Sequence, residues 1–115
     1  MSTTLYGIPN CDTVRKARKW FDAHGIDYAF VDFRESPLGA AQVEGWLEAV
    51  GSTLLNKRST TWKQLTDTER TAAESGDPVP LLLAHPTLIK RPVLEHQSQI
   101  SVGFKADDYA AKFGV

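Results

Sequence analysis

Thr4-Leu5-Tyr6-Gly7-Ile8-Pro9-Asn10-Cys11-Asp12-Thr13-Val14-Arg15 opens the stretch, running on to Phe33, whose reading decides the fold. Thr4 to Ile8 are rich in β-formers and are stopped by Pro9-Asn10, which predicts a short strand. From Asp12 to His24 the period changes. Val14, Ala17, Phe21 and His24 fall on one helical face, while Arg15, Lys16, Lys19 and Asp22 lie mostly away from it. Gly25 supplies the C-terminal stop. Tyr28-Ala29-Phe30-Val31-Asp32-Phe33 then reads as a second strand. Strand, helix and strand joined by short loops favour a parallel pair with a right-handed crossover.

Outward from this unit, Ser36-Pro37-Leu38-Gly39 opens a helix over Ala40 to Val50. Its expected buried stripe is Val43, Trp46, Leu47 and Val50, and Gly51 ends it. Leu54 to Glu74 is more polar and holds short helices. One of them opens with the capping-box pattern at Thr66 and Glu69 and stops at Gly76. Pro80 and Pro86 bracket a short buried helix, with His85 at its C-terminus beside free carbonyls. Thr87 to Glu95 reads as a strand interrupted by Pro92, and proline inside a sheet belongs on an edge, at a bulge or in a cis bond. Gln99 to Gly103 returns as its antiparallel partner through Gln97-Ser98, and Lys105 to Phe113 is a last amphipathic helix. The order is βαβ, a helical middle, then ββα: an α/β fold with a mixed sheet and an inserted helical subdomain over about 38–86. No repeat, low-complexity tract or long linker divides it, so residues 1–115 are expected to form a single domain.

Composition sets the outer bounds. The 115 residues are 42% hydrophobic, near the usual size of a single domain and sufficient for a core. Thirteen Lys and Arg against fourteen Asp and Glu give a net charge of -1, which argues against a general nucleic-acid binder. A single Cys excludes an intrachain disulfide and a zinc site built from several thiolates, and no metal is expected. The longest strongly apolar run, Val79 to Ala84, is far short of the ~20 residues that cross a membrane. Met1-Ser2-Thr3-Thr4-Leu5 has neither a basic region nor an apolar signal core. The expectation is a cytoplasmic monomer with no membrane or nucleic-acid partner.

The chemistry centres on Cys11, placed between a strand end and a helix start. Free N–H groups of a first helical turn and the helix dipole favour a thiolate over a thiol there. Arg15, one turn on, adds a full positive charge on the same face. A thiolate is the nucleophile of disulfide exchange and of attack on oxidised substrates. The plainer alternative is a buried cysteine acting as a small hydrophobe. The junction, the flanking Pro9-Asn10 and Arg15 together favour the reactive role.

Two negative observations narrow that chemistry. The second thiol of a Cys-x-x-Cys pair would fall at position 14, which is Val14, so an oxidised Cys11 needs an external thiol such as glutathione. The phosphatase spacing Cys-x5-Arg would need an arginine where Ala17 stands. A cis Pro92 would present an outward-facing backbone near Cys11, with Arg91 available for an anionic substrate or a glutathione carboxylate. The plainer reading is an edge-strand proline beside a surface arginine. Lys57-Arg58 is a second basic pair, an anion contact or a solvated one. Trp20, Trp46 and Trp62 read as core or subdomain contacts, and no feature brings His85 or His96 to the thiol.

With these residues in hand, the chain resembles the thioredoxin-like arsenate reductase (ArsC) family, which includes the Spx regulators, and within it the small YffB-type proteins. The resemblance runs through Tyr6-Gly7-Ile8-Pro9-Asn10-Cys11 with Arg15, Leu54-Leu55-Asn56-Lys57-Arg58, and Trp62-Lys63-Gln64-Leu65. It continues through His85-Pro86, Leu88-Ile89-Lys90-Arg91-Pro92 and Val102-Gly103-Phe104. It implies a thioredoxin-like sheet, a cis Pro92, and a nucleophilic Cys11 near Arg15 and Arg91. In the family's arsenate enzymes the cysteine attacks arsenate, arginines bind the oxyanion, and glutathione with glutaredoxin completes the reduction. The chain departs from them at Asn56, where an ungapped match has arginine and Arg58 is displaced. It departs again at Phe104, where arginine is replaced and only Lys105 stands beside it. The second cysteine of the Spx redox switch is replaced by Val14.

The sequence thus leads to a thiol-dependent reductase with a single nucleophilic cysteine and no tightly bound cofactor. Glutathione is the expected cosubstrate, glutaredoxin a possible partner, and the substrate a small oxidised molecule or oxyanion. Cys11 attacks, Arg15 holds the thiolate, and Asn10, Arg58, Arg91 and Pro92 surround substrate or glutathione. An arsenate reductase is the first alternative. A non-catalytic RNA polymerase-binding regulator of the Spx kind is the alternative from another class.

Overall fold

Alternating β-formers at the start of the chain and a 3.6-residue apolar period after them produce the expected strand-helix-strand. β1 (Thr3–Gly7), α1 (Asp12–His24) and β2 (Ala29–Asp32) follow one another, and β2 pairs parallel to β1 with Leu5 opposite Phe30. The fold is that of a computed structural model, which describes residues 3–115. Met1 and Ser2, at the head of the opening segment, lie outside them. The chain forms two compact units, one of Met1–Glu35 with Arg91–Val115 and one of Ser36–Lys90.

In the first unit, β3 (Val93–His96) lies antiparallel to β1, with Leu94 opposite Leu5, and β4 (Gln99–Val102) lies antiparallel to β3. The sheet order is β2-β1-β3-β4. Gln97 and Ser98 close the last hairpin with φ of 50° and 68°, the left-handed pair that suits strand twist in a two-residue turn. The strand expected from Thr87 is much shorter than its sequence. Pro86–Leu88 form a 3₁₀ turn, Ile89 makes only an isolated bridge to Leu55, and β3 starts directly after Pro92. Proline has no N–H for the ladder, so the regular pairing begins beyond it.

Leu5 and Leu94 project from one sheet face onto α1 and onto α6 (Ala106–Phe113), where Ala17, Trp20, Phe21 and Tyr109 complete a buried cluster. His24, expected on this face, is exposed, while Trp20, read as a core or subdomain contact, is buried. The polar ring at the last helical position donates from Nδ1 to the Trp20 carbonyl (2.8 Å) and packs against the indole, leaving the interior to the larger apolar ring. Gly25 adopts φ 62°, the left-handed helix stop its position requires.

Burial raises the Tyr109 phenol far above its ordinary value. The unfolded chain ionises this group near pH ~10, whereas the folded chain resists ionisation. Its contribution to stability is therefore full below that pH and is lost as pH rises toward the folded value. Urea denaturation at pH 8 and pH 11 should show an alkaline loss of stability that is smaller in Tyr109→Phe.

In the second unit, α2 (Ala40–Val50) runs into a 3₁₀ turn at Gly51–Leu54. It buries only Val43 and Trp46. Leu47 and Val50, expected in the stripe, are half-buried. Ser59 caps α3 (Thr60–Gln64) by accepting the Trp62 N–H. Thr66 and Glu69 cap α4 (Asp67–Ser75) reciprocally, and the Thr66 N–H holds the Glu69 carboxyl below its ordinary value. Pro80 sits in the first turn of α5 (Val79–Ala84), which packs against α2 and α4. His85 closes α5 through its backbone N–H, donated to Leu81. Among the described residues no helix is long and apolar enough to cross a membrane.

Candidate functional site

β1 ends on Gly7 because α1 lies against it. A Cβ there would stand 2.7 Å from a Val14 methyl carbon, too close for any side chain without displacement. The chain then turns through Ile8-Pro9-Asn10, with the Cys11 N–H donating to the Ile8 carbonyl (3.1 Å). Cys11 is the N-cap of α1. Its carbonyl accepts the first helical bond from Arg15 N–H (2.9 Å), and its side chain makes no capping bond. Cys11 is half-buried, at a helix end whose first N–H groups lack helical partners. The sulfur is thus not committed to capping the helix.

Strand register gathers further residues at this end of the sheet. Gly7 pairs with Asp32, Tyr6 with Val93, and Val93 with Val102. The ends of β1, β2 and β4 and the start of β3 therefore lie together, beside the turn that carries Cys11. Phe33 N–H donates to the Gly7 carbonyl (3.3 Å), which closes the β2 side.

The Arg91-Pro92 bond at the head of β3 is cis. Pro92 itself does not offer the outward backbone expected of it. It is buried, and its carbonyl accepts the Gly103 N–H (2.9 Å), because β4 continues one residue past its ladder to reach it. Arg91, half-buried, carries a guanidinium Nε that is buried and has no hydrogen-bond partner. An unsatisfied donor on a charged group is costly, so Arg91 is the strongest candidate here for an anion ligand.

Arg15 lies near the start of α1. Its guanidinium is paired with the Asp12 carboxylate, three residues back on the same helix, and both side chains are largely exposed. Asn10 is exposed in the turn before the cysteine. Sequence reasoning missed Arg34, which follows β2 and lies 3.7 Å from Asp32 Oδ1. Only the β1–β2 register brings it to this end of the sheet.

Arg58 belongs to the second unit. Its backbone N–H donates to Asn56 Oδ1 (3.2 Å), and its exposed side chain lines a groove of about 460 Å³ with Ser52, Thr53, Asn56, Lys57 and Lys90. Lys57 is paired with Glu74 at 3.1 Å. Lys90, a residue with no role expected of it, arrives through bonds from Asn56 N–H to the Leu88 carbonyl and from Lys90 N–H to the Leu54 carbonyl, both 2.7 Å. Nothing in the local sequence announces that pairing. No group of three or more metal-ligating side chains occurs among the described residues.

The model of the ArsC family matches residues 6–112. The chain is similar to the solved YFFB protein, with 39% identity, a TM-score of 0.90, and coverage of 96% of this chain and 97% of that one. An arsenate reductase (ArsC) related protein from Brucella melitensis shares 42% identity, with a TM-score of 0.77 over 100% of this chain and 97% of its own. A global transcriptional regulator Spx from Streptococcus pyogenes serotype M3 shares 28% identity over 94% of this chain and 82% of its own.

Proposed function

The chain belongs to the ArsC family, and from that premise we propose that it is a glutathione-dependent thiol reductase working through Cys11 alone. The observation that carries this reading is the half-buried cysteine at the N-cap of α1, its side chain uncommitted to the helix. The sheet register sets it at the same end as the unpartnered Arg91 Nε.

For a disulfide substrate the electrons balance in three steps. The Cys11 thiolate attacks one substrate sulfur, forming a mixed disulfide and releasing the other half as a thiolate that takes a proton. A glutathione thiolate then attacks the Cys11 sulfur and releases the second half. A second glutathione restores Cys11 and leaves oxidised glutathione. Two glutathiones are oxidised and one disulfide is reduced. Arg91 is proposed to orient a carboxylate of glutathione or substrate by charge-assisted hydrogen bonds. Asn10 is proposed to line the entrance. Arg58 is a candidate anion contact in the groove of the second unit, and the protein is proposed to act as a cytoplasmic monomer, with glutaredoxin as a candidate partner.

The reading is tested by mixing the protein with glutathione and a small mixed disulfide while following oxidised glutathione. Catalysed turnover, with a Cys11–glutathione adduct in intact mass, is the expected result. Turnover only with arsenate, glutathione and glutaredoxin would move the substrate to arsenate. The similarity to Spx favours one second reading, a non-catalytic transcription regulator. Co-purification with RNA polymerase that persists in Cys11→Ser, without any turnover, would establish it instead.

A further inference from the structure

Three arginines stand at the end of the sheet that carries Cys11: Arg15 in α1, Arg34 after β2 and Arg91 before β3. Two of them already face a carboxylate, Arg15 that of Asp12 and Arg34 that of Asp32. Of the three, only Arg91 holds a buried nitrogen with no hydrogen-bond partner among the described residues. The cation one helical turn from the sulfur therefore faces the carboxylate of the residue next to that sulfur.

We propose that Asp12 is a specificity-determining residue: by holding Arg15 and by placing its own charge beside Cys11, it turns the nucleophile from small free oxyanions toward substrates uncharged at the reacting atom, disulfides above all. The inference rests on the nucleophilic role proposed for Cys11. A thiolate and a multiply charged oxyanion repel one another, so their reaction needs surplus positive charge at the sulfur. With Asp12 present, Arg15 supplies little surplus. Of the three arginines, Arg91 has no carboxylate partner among the described residues and suits one carboxylate away from the breaking bond. A disulfide sulfur carries no charge and needs no such surplus. Asp12 also favours the helix N-terminus through the dipole, which would account for it without any role in selectivity. That account predicts an effect on helix stability and none on charge selection.

The two accounts separate in the rates at which Cys11 of the intact protein reacts with iodoacetate and with iodoacetamide, followed by intact mass. In both reactions the sulfur forms one S–C bond and iodide leaves. The reagents differ chiefly in one negative charge, so their rate ratio cancels thiolate fraction and general access. Asp12→Asn should raise the iodoacetate-to-iodoacetamide ratio about threefold at low ionic strength, as expected for removing one charge at close range in water. The gain should shrink in concentrated salt. Asp12→Glu should return the ratio to the parental value, and Arg15→Gln should lower it. An unchanged ratio in Asp12→Asn, or a gain that salt does not diminish, would overturn the proposal while leaving the nucleophile intact. Failure of both reagents to label the folded protein would remove the nucleophile reading, and this inference with it.

Discussion

Replacing Cys11 by serine is expected to abolish turnover and, at the same time, make the protein slightly more stable. A serine hydroxyl is a far weaker nucleophile than a thiolate at neutral pH, so disulfide reduction should fall by on the order of 10³-fold or more, to glutathione's own background. Stability should move the other way. Cys11 occupies the N-cap of α1 without a capping bond, at φ -84° and ψ 128°. That is the backbone conformation from which serine accepts an N–H of the first turn, worth about 1 kcal/mol. Urea denaturation together with the turnover assay checks both halves. A loss of activity accompanied by a large loss of stability would mean that the sulfur is a packing group, and would count against its catalytic role.

The second large effect concerns the platform beneath the site. Phe21→Ala is expected to destabilise the protein by about 3–5 kcal/mol, the usual range for deleting a fully buried ring. Phe21 is completely buried. Its ring stacks on Tyr28 at 4.5 Å and meets Trp20, Tyr109 and Phe113 at 5.3 to 5.6 Å between centroids. These neighbours come from α1, the approach to β2, and α6, so no single element can collapse to fill the space. Against a typical total stability of about 5–15 kcal/mol, the variant should be marginal at 37 °C. Thermal melts of the variant and parent, with Phe21→Leu as a milder control, give the measurement. A loss below about 1 kcal/mol would show that the cluster repacks freely.

Several elements were legible because their signals are local. A glycine after a helix, a proline in a first turn and a Thr-x-x-Glu box act on backbone groups within a few residues. The boundaries of α1, α2 and α4 accordingly agree with their reading, while α5 starts at Val79, ahead of the Pro80 that was read as its bracket, and ends at Ala84. The position of Cys11 was legible for the same reason, since a cysteine before a helix can be read from the strand-helix junction alone. The strand expected from Thr87 was not, because β-propensity describes a surface that fits a sheet and not whether a partner is present. Ile89 found only Leu55, and the ladder waited for Val93. The exposure of His24 has the same origin, for a helical face is narrow or wide according to what packs on it.

The sequence by itself determined the βαβ start, the helical middle, the ββα close and the single thiol at the first helix cap. It did so through periodicities and caps that a short stretch of chain enforces. Only the tertiary structure decided which charges meet. Arg15 pairs with Asp12 and Arg34 with Asp32, while the Arg91 Nε is buried without a partner. Lys90 joins Arg58 only through pairing between segments more than thirty residues apart. A long basic side chain can reach many positions with little difference in energy, and only the fixed backbone around it selects among them.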